Sequence, residues 1–230
     1  MRRNAGGAWL LSVLVSSLRG GLRQAYLRVQ LNPKKYLRHA RRAYGLPIKS
    51  WQDVHFLEES VLNRAASRIV RSSARTAALE GLGLGVGGFT TLVPDMGILS
   101  AITIRMLQKL SLIYGFEYST DAEITALWVA AASAAGLDFT RDFLEKQAVE
   151  RLVPRIIDQV AVKVGAEVAE KWAARAVPIF SAAAAASLNY YFVRAWGRRA
   201  QRHFLERRRS LTAPRLAGPF LMPSPAVEIN

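Results

Sequence analysis

Residues 81–115 decide the fold and read GLGLGVGGFTTLVPDMGILSAITIRMLQKLSLIYG. A glycine-rich segment is followed by Pro94 and Asp95, and Asp95 is expected to cap the N-terminus of a helix that ends at Gly115. The apolar residues of that helix recur at helical spacing on one side, at Leu99, Ile102, Met106, Leu110 and Ile113. The stretch therefore predicts an apolar helix that follows a glycine-rich segment.

The glycine-rich segment has two interpretations. Because Gly81 and Gly85, like Gly83 and Gly87, are four residues apart, they can form small-residue faces on which helices approach closely. Glycine in a helix costs about 1 kcal/mol relative to alanine, so a glycine loop that also includes Gly88 is an equally good interpretation. Gly83-x-Gly85-x-x-Gly88 matches the letters of a dinucleotide fingerprint, but a helical segment precedes it instead of a strand, which argues against that site.

Upstream, helices are separated by proline and glycine. A basic helix is predicted from Pro33 to Tyr44 with a stop at Gly45, and Ser50 and Asp53 have capping-box spacing for the next helix. The apolar stripe of that next helix consists of Val54, Leu57, Val61, Ala65 and Ile69. Its other side carries four arginines, expected as a solvated face or a row of phosphate contacts: Arg64, Arg68, Arg71 and Arg75.

Downstream, Thr120 and Glu123 form a second capping box, and Pro154 and Pro178 are expected to bend or restart later helices. No segment has the alternation and length of a strand. The predicted fold class is all-α, a compact multi-helix domain whose glycine- and alanine-rich helices pack closely and which touches or partly enters the bilayer. Its predicted parts are a basic amphipathic helix at 1–32, a helical domain at 33–209 and a disordered, proline-rich tail at 210–230.

Three blocks of the chain resemble the EcsC family. The central block combines the glycine-rich turn, Pro94-Asp95, an apolar helix containing Arg105, and Tyr114-Gly115. The C-terminal block comprises Ala176-Val177-Pro178, a run of small residues, Asn189-Tyr190 and Arg194, although Ala182 to Ala186 replaces the glycine-containing run usual in the family. Residues 37–54 resemble the family's opening, so the resemblance covers about residues 35–209.

The resemblance implies a helical, bacterial, membrane-linked protein. The family is named after a protein encoded beside an ABC transporter, and no established catalytic motif comes with it. It also implies an arginine at position 105 within the central apolar helix.

The charge of the chain points to an anionic partner. Its formal net charge is +15, and eleven Lys and Arg residues, but no Asp or Glu, precede Asp53. Such a charge suits nucleic acid or an anionic membrane face, and nucleic acid is disfavoured because no recognition-helix motif or aromatic stacking platform is present. The absence of cysteine excludes disulfides, thiolate metal sites and cysteine nucleophiles.

The N-terminal segment has an apolar stripe at Leu18, Leu22, Tyr26 and Val29, as in an amphipathic helix lying among lipid headgroups. It is also compatible with a signal peptide, a transit peptide or an ordinary helix that packs on the core. The arginines predicted to contact membrane phosphates are Arg19, Arg23, Arg198, Arg199, Arg202, Arg207, Arg208 and Arg209.

Five polar residues are candidates for a ligand site or a structural network: Asp95, Arg105, Tyr114, Asn189 and Arg194. Arg105 interrupts the uncharged run from Met96 to Met106. Apolar residues on more than one side of that helix favour burial of Arg105 against a carboxylate over exposure to solvent. The carboxylates considered as its partner are Glu80, Asp138 and Asp142.

The function that the sequence favours is a membrane-associated accessory or scaffold protein of the EcsC type at the inner face of the bacterial cytoplasmic membrane. Its expected partners are anionic lipid and a membrane protein complex. The alternative is a protein or enzyme that handles a lipid or another hydrophobic ligand, in an apolar cavity with Asp95, Arg105 and Asn189 as its polar groups. No catalytic residue, cofactor or metal is predicted, since the histidines lack ligand spacing and no serine-hydrolase motif occurs.

Overall fold

The computed structural model describes residues 3–28, 31–84, 92–118, 120–137, 149–173 and 182–216. These residues form seven α-helices and a short 3-10 helix and contain no strand, in agreement with the predicted all-α class. The elements are α1 (Arg3–Arg28), α2 (Pro33–Tyr44), the 3-10 helix (Gln52–Phe56), α3 (Glu59–Leu84), α4 (Leu92–Ile113), α5 (Asp121–Ala134), α6 (Val149–Ala173) and α7 (Ala182–Leu216).

Local capping chemistry confirms two of the predicted helix ends. Gly45 follows α2 in the left-handed region, at φ 67°, and its N–H donates to the carbonyl of Arg41. Thr120 and Glu123 form the complete capping box at the start of α5. Short sequence motifs can predict these helix ends, because the hydrogen-bonding groups of each motif lie within one helical turn of each other.

Three predicted boundaries were wrong. Asp53 accepts hydrogen bonds from the backbone N–H groups of Lys49 (2.6 Å) and Ser50 (3.1 Å) in the first turn of the short 3-10 helix, whereas the long helix α3 begins only at Glu59. α4 begins at Leu92, which puts Asp95 inside its first turn and not at its cap. α7 continues to Leu216, beyond residue 209 where the helical domain was expected to end.

α3 packs antiparallel to two of the other long helices, α7 and α4. Along α3 and α7, Arg209 binds Glu59 at one end and Gln201 approaches Asn63 further along. α4 runs antiparallel to α3, because Tyr114 at the end of α4 contacts Asn63 near the start of α3. α1 packs between α4 and α6, and α5 lies against α6 and α7.

The apolar stripe of α1 is part of the core. Leu14, Leu18 and Leu22 are buried where α1 packs on α4 and α6. The expectation that Leu18 and Leu22 face lipid headgroups was therefore wrong, and the alternative of an ordinary helix packed on the core is the one observed. Tyr26 and Val29 lie outside the residues whose side chains are described.

Close helix contacts occur at glycines outside the predicted cluster. A Cβ at Gly197 of α7 would lie 2.8 Å from both methyls of Val70 in α3, and one at Gly165 of α6 would lie 2.7 Å from Val15 in α1. Of the predicted packing glycines, Gly81 is buried at the end of α3, and the surroundings of the others lie outside the described part: Gly83, Gly85, Gly87 and Gly88.

Over the described residues, none of the helices combines the length and apolar character needed to cross a bilayer. The expected partial entry of the domain into the membrane stays a prediction.

Candidate functional site

The corner where α4, α7 and the 3-10 helix meet is held by Arg208. This arginine is only 8% exposed, and its guanidinium donates to the carbonyls of Val54 (3.2 Å), His55 (3.0 Å), Leu57 (3.3 Å) and Tyr114 (3.5 Å). A planar guanidinium with five N–H donors is suited to several acceptors at once. Arg208 therefore fastens the 3-10 helix to α7 and is not available to membrane phosphates, in contrast to the prediction.

Tyr114 belongs to the same corner. It is fully buried, its hydroxyl donates to Asn63 Oδ1 at 2.6 Å, and its ring stacks on Phe204 of α7. Burial raises the pKa of Tyr114 to about 12, so its hydroxyl stays protonated at neutral pH. Gly115, at φ 86°, leaves room for the His55 ring, which would lie 2.7 Å from a Cβ at that position. The Tyr114-Gly115 pair thus has a structural role.

The two arginines beside Arg208 also bind within the fold. Arg209 makes a bidentate ion pair with Glu59, at 2.7 Å between Nη2 and Oε2, and this pair holds the pKa of the Glu59 carboxyl below its usual range. The Arg207 guanidinium lies 4.4 Å from the ring centroid of Phe116. Three consecutive arginines thus have three different intramolecular partners, because neighbouring residues on a helix point about 100° apart.

The remaining arginines predicted to contact phosphates divide into two groups. Arg19 and Arg23 of α1 both pair with Asp158 of α6, at 3.0 and 3.1 Å, and Arg199 donates to the carbonyl of Ala134 at the end of α5. Arg198 and Arg202 are exposed, and neither contacts a charged or hydrogen-bonding group in the described parts of the chain. Most of this predicted surface is therefore used to dock helices.

Arg105 is exposed, so the expected burial against a carboxylate was wrong. It forms no ion pair with any of the described residues. Arg105 lines a groove between α3 and α4 that is open to solvent on one side. A helical-wheel projection of α4 could not predict that Arg105 is exposed, because the groove depends on how α3 packs against α4.

Arg105→Ala is expected to change the free energy of unfolding by less than about 0.5 kcal/mol, because Arg105 is exposed and forms no ion pair with the residues that the structure describes. Urea denaturation followed by circular dichroism measures the change. A loss of about 3–5 kcal/mol, typical of a broken buried ion pair, would contradict the exposed position.

The other polar candidates do not meet at one site. Asn189 is buried within α7, while Arg194 folds back on its own helix and donates to the Tyr190 hydroxyl at 2.9 Å. The side chain of Asp95 lies outside the described part. Neither Asn189 nor Arg194 lines the groove that holds Arg105. The polar cavity needed for the alternative function is thus not assembled from these residues.

A small apolar void between α1, α4, α6 and α7 does not serve as that cavity either. Its volume is about 10 Å³, and it is lined by Leu18, Leu22, Leu99, Ser100, Thr103, Val160, Val164, Phe192 and Trp196. This is about the space of a single water molecule, too small for a lipid chain.

A basic face on α2 is a surface feature that the candidate residues did not include. Five cations of this helix are exposed and point within an arc of about 120° on the helical wheel: Lys34, Lys35, Arg38, Arg41 and Arg42. The opposite side buries Tyr36 and Ala40. We call these five cations the basic face. Their recurrence at three- and four-residue spacing without one acidic residue is the sequence signal that could have identified them.

The basic face borders further positive charge. Arg68 of α3 is exposed and donates to the carbonyl of Ala43 near the end of α2, at 3.4 Å. The other arginines of the α3 stripe, Arg64, Arg71 and Arg75, are exposed as well, which agrees with the predicted solvated face. On the α4 side, the Lys109 ammonium lies 5.9 Å from the ring centroid of Tyr36.

Comparison with known proteins identifies the family of the chain. The model of the EcsC protein family matches residues 18–208. Protein EcsC of Bacillus subtilis (strain 168) is 36% identical over 66 residues, which are 29% of this chain and 28% of that protein. The aligned part thus spans less than a third of that relative. No solved structure matches the chain.

Proposed function

Since the chain belongs to the EcsC protein family, we propose that it is a membrane-associated accessory protein that binds the anionic inner face of the bacterial cytoplasmic membrane. The basic face of α2 is the observation that carries this proposal. In this role it would act beside a membrane protein complex, as the family resemblance implies. No chemical step is part of the proposed function.

The charge of α2 supports a lipid surface as its partner. A folded helix with all its cations on one side and its apolar residues in the core can approach a flat anionic surface without rearrangement. Each Lys or Arg near such a surface contributes about 1 kcal/mol, and the attraction falls off within a Debye length. Several cations on one rigid face therefore suffice for reversible, salt-dependent binding.

The double variant Lys34→Gln/Arg38→Gln is expected to bind vesicles of phosphatidylglycerol and phosphatidylcholine about thirtyfold more weakly, because it removes two surface charges of about 1 kcal/mol each. Flotation at about 0.1 M salt measures the bound fraction, and raising the salt to about 0.5 M should release the wild-type protein.

Arg151→Gln/Lys163→Gln is the matched control. It removes the same two residue types from exposed positions of α6 and leaves the basic face intact. The control is expected to bind like the wild type. Equal losses in the two variants would show that only net charge matters, and unchanged binding of the α2 variant would overturn the role of the basic face.

A further inference from the structure

The groove between α3 and α4 is a second surface with a distinct chemistry. It is open to solvent on one side and has a volume of about 380 Å³, within the range of small-molecule sites. Its lining combines hydroxyl, cationic and apolar side chains: Ser72, Ser73, Thr76, Ile98, Ala101, Ile102, Arg105 and Lys109. We call it the α3–α4 groove.

Two cations that have no counterion among the described residues mark one end of the groove. Arg105 and Lys109 are one helical turn apart on α4, and neither forms an ion pair or a hydrogen bond with the residues that the structure describes. Burial, and after it the charge of Arg105, lowers the pKa of Lys109. Both effects disfavour the charged lysine, and an anion bound between the two side chains would offset them.

Two serines of α3 face this cationic end. Ser73 is only 8% exposed and lines the groove, yet its hydroxyl and that of Ser72 form no hydrogen bond within the described ranges. The Thr76 hydroxyl, by contrast, donates to the carbonyl of Ser72 at 3.2 Å. A hydroxyl that lines the same groove as two cations, and has no hydrogen bond among the described residues, is suited to donate to an anionic oxygen.

The opposite end of the groove is apolar. Ile98, Ala101 and Ile102 line it, and Ile98 lies about 16 Å along α4 from Lys109, at 1.5 Å per residue. Beyond Thr76, the last turns of α3 expose Leu79 (69%) and Leu82. Since α3 and α4 are antiparallel, these leucines and Ile98 lie at the same end of the helix pair. The groove therefore changes from cationic to apolar along its length.

We propose that the α3–α4 groove binds one anionic phospholipid, with its phosphate between Arg105, Lys109 and the Ser72 and Ser73 hydroxyls. One acyl chain lies along Ile102 and Ile98 towards the exposed leucines of α3. This proposal rests on the proposed membrane-binding function and extends it. The basic face recognises only charge, whereas the groove is a site for a single lipid molecule.

The apolar end selects a lipid over a free phosphate. Inorganic phosphate would use the cations and hydroxyls but leave Ile98 and Ile102 in water. Burying an acyl chain against them contributes about 0.8 kcal/mol for each methylene that leaves water. A zwitterionic lipid could use the apolar end, but its own cation would face Arg105 and Lys109.

The test uses the full chain and dihexanoyl phosphatidylglycerol below its critical micelle concentration, so that no bilayer is present. Isothermal titration calorimetry is expected to show saturable 1:1 binding. Arg105→Gln/Lys109→Met should weaken it at least about tenfold, since two charge-assisted contacts are lost. The control Arg151→Gln/Lys163→Gln should bind like the wild type. Thermal midpoints verify that the variants fold, and Arg105→Gln alone replaces the double variant if Lys109→Met disturbs the contact with Tyr36.

Comparison ligands separate the possible sources of binding. Dihexanoyl phosphatidylcholine and inorganic phosphate are each expected to bind at least about tenfold more weakly than the anionic lipid. Equal binding of phosphatidylcholine would show that charge is not recognised, and equal binding of inorganic phosphate would reduce the groove to a phosphate site. Unchanged affinity in the groove variant would place the lipid elsewhere. Each of these results overturns the proposal, and none depends on vesicle binding by the basic face.

Discussion

Arg208→Met is expected to lower the free energy of unfolding by about 3–5 kcal/mol, the range for a broken buried charge interaction. The guanidinium donates to four carbonyls, three of them on the segment from Val54 to Leu57 and one on Tyr114. Methionine fills much of the same volume but donates nothing, so these carbonyls lose their donor while the corner stays closed to water. Guanidinium chloride denaturation followed by circular dichroism measures the loss.

Arg202→Met is the control for this prediction, because Arg202 is an exposed arginine of the same helix. It is expected to change stability by less than about 0.5 kcal/mol. The stability of Arg208→Lys should lie between those of the two methionine variants, since one ammonium group cannot donate to four separated carbonyls. If Arg208→Met proves as stable as the control, the hydrogen bonds of Arg208 do not hold the corner, and its earlier interpretation as a membrane contact becomes the better one.

Gly197→Leu is expected to destabilise the protein by about 3 kcal/mol, near the upper end of the usual cost of overpacking. A Cβ there would lie 2.8 Å from both methyls of Val70 and 2.9 Å from the sulfur of Met106. Val70 has a branched side chain with little rotamer freedom, so α7 would have to move away from α3. Thermal and chemical unfolding measure the effect.

Gly20→Leu is the matched control on α1, where no atom of the described residues, apart from the nearby backbone of α1 itself and the two chain neighbours, lies within 4 Å of the position of a Cβ. Leucine favours a helix more than glycine, so this variant should gain up to about 1 kcal/mol. A loss of stability in Gly197→Leu together with a gain in Gly20→Leu would confirm that the requirement for glycine at position 197 is steric. A gain at both positions would mean that the contact of α7 with Val70 and Met106 relaxes without cost.

Local sequence chemistry predicted the helical class and several helix ends. Gly45 ends α2 because it adopts the left-handed conformation that other residues avoid, and Thr120 starts α5 because its capping box closes within one turn. The match to the family model begins at residue 18, inside α1, and so extends further towards the N-terminus than the resemblance seen in the sequence. The sequence also showed that its positive charge concentrates before Asp53.

The positions of the individual arginines could not be predicted in this way. Arg208 is buried and Arg209 is exposed one residue later, although both stand in the same basic run. Arg105 has apolar neighbours on both sides and is nevertheless exposed, because the α3–α4 groove opens at its position. In each case the hydrogen-bond partner of the arginine, or the groove beside it, is formed by residues distant in sequence.

The sequence by itself determined that this chain is helical, strongly basic towards its N-terminus and a member of its family. These properties depend on helical periodicity, capping motifs and charge, which are patterns of residues close together in the sequence. Only the tertiary structure decided which cations bind carbonyls and carboxylates of the protein, and which cations on α2 and in the α3–α4 groove have no such partner among the described residues. The physical reason is that an arginine pairs with whatever acceptor packing brings within about 3 Å, and packing joins residues far apart in the chain.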